Sequence, residues 1–264
     1  MGARVLQITD LHLQGDPSHG FYGVNTRTSL ARVLDHAAAR GPYDAVVATG
    51  DLSDDGSPSA YSALRDALEA FGVPSWCVPG NHDDAAAMKR HLESDAVSLA
   101  PAAALGPWDL RLLDSHVPGS VAGRLGADRL SMLAAELAGA ADRPQLLCLH
   151  HGPHPVCPKR LCNLEDAREM LELVDAHPNV RGVAWGHNHC EYTSDVRDTL
   201  FMLTPSTCVE ARHPPQDRAS DPHVWDPTRV GYRIIELEDS GAVTSRVEWL
   251  TPEGVAARSG AGTR

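Results

Sequence analysis

Along the chain an apolar run repeatedly ends in residues that bind metal ions or move protons. Val5-Leu6-Gln7-Ile8-Thr9 runs into Asp10-Leu11-His12, and Ala45-Val46-Val47-Ala48-Thr49-Gly50 runs into Asp51. Ser75-Trp76-Cys77-Val78-Pro79-Gly80 leads to Asn81-His82-Asp83, Leu146-Leu147-Cys148-Leu149 to His150-His151, and Val183-Ala184-Trp185-Gly186 to His187-Asn188-His189. Any one of these polar ends could be a turn former, a helix cap or a satisfied core histidine. Their recurrence at strand ends points to a metal site. Oxygen donors mixed with neutral imidazoles suit Fe, Mn or Zn better than Mg or Ca, and no thiolate is needed. Two divalent ions ~3.5–4 Å apart can share a carboxylate and a hydroxide, and so clamp both sides of an in-line displacement at phosphorus. Asp51, a strand-end carboxylate flanked by other ligand pairs, is the natural bridge.

Elements must deliver these residues to one place. The β-branched run before Asp51 has the composition of an inner strand of an α/β sheet, and ligands of such sheets bind at the strands' carboxyl ends. Helical spacing of Leu30, Val33, Leu34 and Ala37 predicts a helix over 26–40, with Asn25 or Thr26 as cap, and with the flanking strands it makes a right-handed β-α-β unit. Further helices are predicted over 59–71, 85–92, 128–137 with Leu130, Leu133 and Leu137 inward, and 163–175. A strand over 109–114 is expected, and beyond His189 successive strands over 191–196, 199–204, 230–237 and 243–250, the last two joined by an Asp239-Ser240-Gly241 turn. The Gly- and Pro-rich stretch 14–22 reads as a rim loop carrying His19 and Tyr22 towards substrate.

At 264 residues and 42% hydrophobic, the chain can bury one continuous α/β core. Residues 1–257 read as a single domain, with 212–228 a long loop or lid and 258–264 a disordered tail. A net charge of −12 argues against a nucleic-acid polymer or an anionic membrane as partner, so counter-charge for a phosphate must be concentrated locally. No run approaches the ~18 apolar residues of a membrane span, and the first strand begins almost at once, which leads us to expect a cytoplasmic protein. Reduced thiols fit that expectation, including the close pair Cys157 and Cys162, whose spacing matches no standard zinc knuckle.

Asp10-x-His12, Gly50-Asp51, Gly80-Asn81-His82-Asp83, His150-His151 and Gly186-His187-x-His189, in this order, resemble the signature of the calcineurin-like metallophosphoesterases. Within that superfamily, Tyr22-Gly23-Val24-Asn25-Thr26, the loop after Asp51, Pro205-Ser206-Thr207-Cys208 and Gly231-Tyr232-Arg233 resemble the bacterial class III cyclic nucleotide phosphodiesterases, with glycerophosphodiesterases as near relatives. The resemblance implies a four-layer α/β/β/α sandwich of two mixed sheets. It implies two divalent metals, one on Asp10, His12, Asp51 and His189, the other on Asp51, Asn81, His150 and His187. It leaves His82 to face the phosphate beside Asn81 and His189 as a general acid or charge stabiliser, with Asp83 either orienting its ring or capping a helix, and His151 behind the ligands. The implied reaction is hydrolysis of 3′,5′-cyclic AMP or a related nucleotide by a bridging hydroxide. The alternatives are a glycerophosphodiesterase, a phosphomonoesterase, or a scaffold that keeps the fold without the chemistry. Relatives of this type also lead us to expect a homo-oligomer.

Overall fold

The apolar runs that precede the candidate ligands are buried from end to end, which requires a covered sheet. β1 (Ala3–Ile8), β2 (Ala45–Thr49) and β3 (Ser75–Val78) pair in parallel, as strands do when helices cover one face and a second sheet the other. The computed structural model that shows this describes residues 2–154, 156, 163–212 and 224–251. The first sheet is completed by β4 (Val97–Ser98) beside β3, and by β13 (Val230–Leu237) and β14 (Val243–Leu250), so that its order is β14-β13-β1-β2-β3-β4. A second sheet, ordered β5-β6-β7-β8-β10-β9, contains β5 (Ala102–Leu105), β6 (Trp108–Leu113), β7 (Gln145–Leu149), β8 (Val180–Trp185), β9 (Tyr192–Val196) and β10 (Thr199–Leu203).

Three apolar layers hold the sandwich together. Leu30, Val33, Leu64 and Leu68, from α1 (Thr26–Ala38) and α2 (Pro58–Phe71), pack on Leu6 and Val46 of the first sheet, where Met88 of α3 (Ala85–His91) joins them. Val5, Val47, Ile235, Leu112, Leu146 and Met202 fill the space between the sheets. Leu133, Leu137, Met170 and Val174, from α4 (Ala127–Gly139) and α5 (Ala167–Ala176), cover Leu147 and Val183 of the second sheet. The result is the α/β/β/α order expected. A polar seam also crosses between the sheets: Gln7 donates to Thr49 Oγ1 and the Trp185 carbonyl and accepts from Thr204, and the buried Arg233 donates to Thr204 Oγ1 and the Leu203 carbonyl. Satisfied groups of this kind are tolerated in a core where unpaired ones are not.

Most predicted elements are found, and the departures have physical causes. Asn25 is the α1 cap, its side chain accepting from Thr28 N–H, and Asp84 rather than Asp83 caps α3. The helix expected from residue 163 begins only at Ala167, because Glu165 N–H bonds the Gly123 carbonyl and the Asp166 carboxylate accepts from Leu125 and Gly126 N–H. Leu130 is only half-buried where Leu133 and Leu137 are fully inside. Strand β5, drawn from Ala102-Ala103-Ala104-Leu105, carries no β-branched signal and was not expected. The stretch 212–228 read as a loop is entered by β11 (Glu210–Arg212) at its first residue and contains β12 (Val224–Asp226), and the two pair antiparallel. The Cys157–Cys162 pair, residues 213–223 and the tail 258–264 lie outside the described residues. Among the described residues no helix is long and apolar enough to cross a membrane.

Candidate metal centre

Strand ends from both sheets meet at one point. Asp10, His12, Asp51 and Asn81 follow β1, β2 and β3, and His150, His187 and His189 follow β7 and β8. Asp51 Oδ2 stands 3.3 Å from His150 Nε2 and 3.8 Å from His12 Nε2, so one carboxylate oxygen lies within reach of imidazoles borne by different sheets. Asp10 Oδ1 is 3.3 Å from His189 Nε2, and His189 Nε2 is 3.1 Å from His12 Nε2. Asn81 Oδ1 lies 3.3 Å from His150 Nε2. The groups Asp10–His12–His189, Asp10–Asp51–His150 and His150–His151–His187 each bring donor atoms close enough to share an ion.

Hydrogen bonds fix which nitrogen of each ring faces the centre. His150 Nδ1 lies 2.7 Å from the Thr49 carbonyl and His189 Nδ1 3.0 Å from the Val209 carbonyl. A carbonyl oxygen only accepts, so Nδ1 carries the hydrogen in both rings and Nε2 turns inward with its lone pair when the ring is neutral. His12 Nδ1 is held likewise by Asp54 Oδ1 at 3.0 Å. His187 differs: both ring nitrogens are buried and meet no hydrogen-bond partner among the described residues. Burial, reinforced by the neighbouring His150, pushes its pKa down to about 3, so the ring is a neutral donor. Burial works against charge on His150 too, but the Asp51 carboxylate prevails and holds it up at about 9. An orphaned neutral imidazole beside two buried carboxylates is a donor set that fits a divalent cation.

The backbone is bent to make this possible. Asp10, His12, Asp51, His187 and His189 all have positive φ, at 51°, 46°, 49°, 73° and 51°. Left-handed non-glycine residues are uncommon and cluster where function holds them. Gly80 passes so close to Asp51 that a Cβ there would overlap both its Oδ1 and its main-chain nitrogen. The turn after β10 braces the far side: Ser206 Oγ donates to the Asp10 carbonyl at 2.7 Å and accepts from Cys208 and Val209 N–H, the latter residue being the partner of His189.

Around the donors lies a cleft of about 270 Å³ lined by His12, Asp51, Asn81, His82, His187 and His189, with Phe21, Tyr22, Val121, Asn188 and Trp225 at its rim. His82 is partly exposed there, its N–H bonded to Asp51 Oδ1 at 2.9 Å and its Nδ1 3.2 Å from Asp54 Oδ1. The hydrogen bond to Asp54, with Asp51 nearby, raises its pKa to about 9. His19 is not brought into the cleft: its side chain is 70% exposed and lies 3.9 Å from Asp16. His151 is fully buried behind Asn81, with Nε2 3.2 Å from Asn81 Oδ1 and Nδ1 2.9 Å from Ser115 Oγ. His154 is not among the residues lining the cleft; its ring centroid lies 4.5 Å from that of Phe201.

Sequence reasoning missed two residues and misread a third. Asp54 bridges His12 and His82, a role that nothing local in its turn marks. Trp225 had no signal, since it sits in a stretch read as loop. Asp83 neither orients the His82 ring nor caps α3; buried, and with its pKa raised to about 6 by that burial and by Asp51, it accepts from Gly80, Leu52 and Ser53 N–H and from the Tyr61 hydroxyl. It thereby staples the Gly80 turn to the segment that carries Asp51.

The family model for calcineurin-like phosphoesterases matches residues 3–191, a stretch that contains all these donors. The 3′,5′-cyclic adenosine monophosphate phosphodiesterase CpdA of Escherichia coli (strain K12) is 35% identical over 255 residues, 94% of this chain and 90% of that protein. A 3′,5′-cyclic-nucleotide phosphodiesterase of Nostoc sp. is 32% identical over 248 residues, 92% of this chain and 91% of its own. A dimetal phosphatase from Danio rerio shares the fold with a TM-score of 0.64 at 16% identity, covering 95% of this chain and 98% of that one. With fold, strand-end donors and whole-length similarity in agreement, the chain belongs to the calcineurin-like phosphoesterases.

Proposed function

We propose that the protein is a metal-dependent phosphodiesterase that hydrolyses 3′,5′-cyclic AMP, or a closely related cyclic nucleotide, to the 5′-nucleotide in the cytoplasm. The observation that carries this reading is the donor cage itself, in which the two buried ring nitrogens of His187 meet no hydrogen-bond partner among the described residues. Whole-length similarity to relatives named as cyclic nucleotide phosphodiesterases supports the substrate. Two divalent ions, Fe, Mn or Zn, would be held by Asp10, His12, Asp51 and His189 on one side and by Asp51, Asn81, His150 and His187 on the other. Bound there, they would supply positive charge to the phosphoryl oxygens and activate a water.

The chain's own residues do the rest. Asp51, with an oxygen near His12 and His150 alike, holds the two halves of the cage in register. His82, protonated near neutral pH through its bond to Asp54, stands at the cleft wall and donates its proton to the departing 3′ oxygen as the P–O3′ bond breaks and the water oxygen bonds to phosphorus. Phosphate then remains on the 5′ oxygen. Asp54 keeps His82 charged and turned inward, and Asn81 and His189 line the space where the diester lies.

The test is kcat/KM of the Mn- or Fe-loaded enzyme on cyclic AMP, cyclic GMP, 2′,3′-cyclic AMP, a glycerophosphodiester and an aryl phosphomonoester. Cyclic AMP or cyclic GMP should lead. A lead of more than ~100-fold, roughly 2.7 kcal/mol of transition-state binding, by any of the other three would overturn the substrate assignment.

A further inference from the structure

Beside the donor cage stands a group of aromatic rings that neither metal binding nor phosphoryl transfer uses. Tyr22 and Trp225 stack with ring centroids 4.8 Å apart and planes inclined by 23°. Phe21 meets Tyr22 edge-on at 4.8 Å and stacks on His12 at 4.1 Å, while Trp225 stands edge-on to His189 at 5.0 Å. The rings therefore form a wall continuous with two donor imidazoles on one side of the cleft.

Tyr22 is placed there against local preference. It occupies a tight two-residue turn closed by reciprocal Phe21 and Val24 main-chain bonds, with φ of 46° at Tyr22 and 83° at Gly23. Such turns favour Asn or Gly at the first position, and a bulky ring there is strained. The residue is nonetheless 54% exposed, so burial does not explain it. A strained, exposed aromatic at the mouth of a site is a candidate for ligand contact.

We propose that the Tyr22–Trp225 wall is the base platform of the site, a stacking surface for a planar purine on a ligand whose phosphate sits at the donor cage. This deepens the phosphodiesterase reading and rests on it for the position of the phosphate. Stacking of a base on an aromatic ring is sequence-tolerant and commonly changes affinity by about tenfold to a hundredfold. The wall separates nucleotides from base-free phosphate esters more than it separates one base from another.

Calorimetric binding of 5′-AMP and of ribose 5-phosphate to the Mn-loaded protein isolates the base from the phosphate and needs no turnover. The unaltered protein should bind 5′-AMP at least about tenfold more tightly. Tyr22→Leu and Trp225→Leu should each reduce that ratio towards one, and Tyr22→Phe, which keeps the ring, should restore it. Equal binding of the two ligands, binding of neither, or a ratio that survives both Leu variants would overturn the proposal. Failure to hydrolyse cyclic AMP with the ratio intact would instead fault the reaction and leave the platform standing.

Discussion

Asp51 Oδ2 lies between His12 of one sheet and His150 of the other, and the same carboxylate accepts His82 N–H through Oδ1. Replacing it with Asn keeps the shape and removes the charge. Asp51→Asn should lower metal content at both positions together and abolish turnover; elemental analysis of purified protein that still finds two metals with a near-normal rate would refute the bridge. His82 should behave differently, because it stands beside His12 and Asp51 but is assigned to the leaving group and not to an ion. His82→Ala should retain metal and fold but lose about 10²- to 10⁴-fold in kcat, more for alkyl than for aryl leaving groups, which need less protonation. Equal losses for both leaving groups would assign His82 to charge stabilisation. Gly80→Ala offers a purely steric test: its Cβ would overlap Asp51 Oδ1, so metal content and rate should both collapse although no polar group is altered.

At the scale of elements, the turn after β10 matters more than its distance from the ligands in sequence suggests. Ser206 Oγ makes bonds with the Asp10 carbonyl and with Cys208 and Val209 N–H, all buried. Ser206→Ala should destabilise the metal-free protein by about 1–3 kcal/mol, the range for leaving buried polar groups unpaired, and should weaken metal retention through Asp10 and His189. Urea unfolding of the metal-free variant checks the first part. This brace also marks the limit of what could be read beforehand. The strands before Asp10, Asp51, Asn81, His150 and His187 were legible because buried strands announce themselves as apolar runs and the donors follow at fixed offsets. The Ser206 turn was noticed only as a resemblance, and its work of supporting Asp10 depends on a contact across 196 positions. Trp225 was invisible for the same reason, since nothing local in a Pro- and Asp-rich stretch indicates that β12 folds back onto β11 beside the cleft. Asp54 was overlooked because turn acids are common and only the folded loop turns this one towards His12 and His82.

On the scale of the whole molecule, the donors are divided between two sheets joined by an apolar layer and the Gln7–Thr204–Arg233 seam. An ion that binds only when the sheets are docked acts as a clasp on the native state. Chelation should therefore lower the melting temperature in calorimetry, and restoring free metal to about a thousand times its Kd should return about 4 kcal/mol of stability. No change in melting temperature would mean that the donors are held in place without the ions. The division has a second side. All the proposed ligands have been synthesised by His189, yet β1 lies between β2 and β13, and β13 begins only at Val230. A chain still being translated, with its last ligand already made, has β1 as the open edge of its sheet, lacking the pairing that runs from Ala3–Leu237 to Gln7–Arg233. The donor cage should thus be completed late, when the returning strand zips against the first one. Turnover measured on ribosome-tethered chains of increasing length should switch on only once β13 has cleared the exit tunnel, so that the nascent protein passes most of its synthesis unable to touch its own substrate.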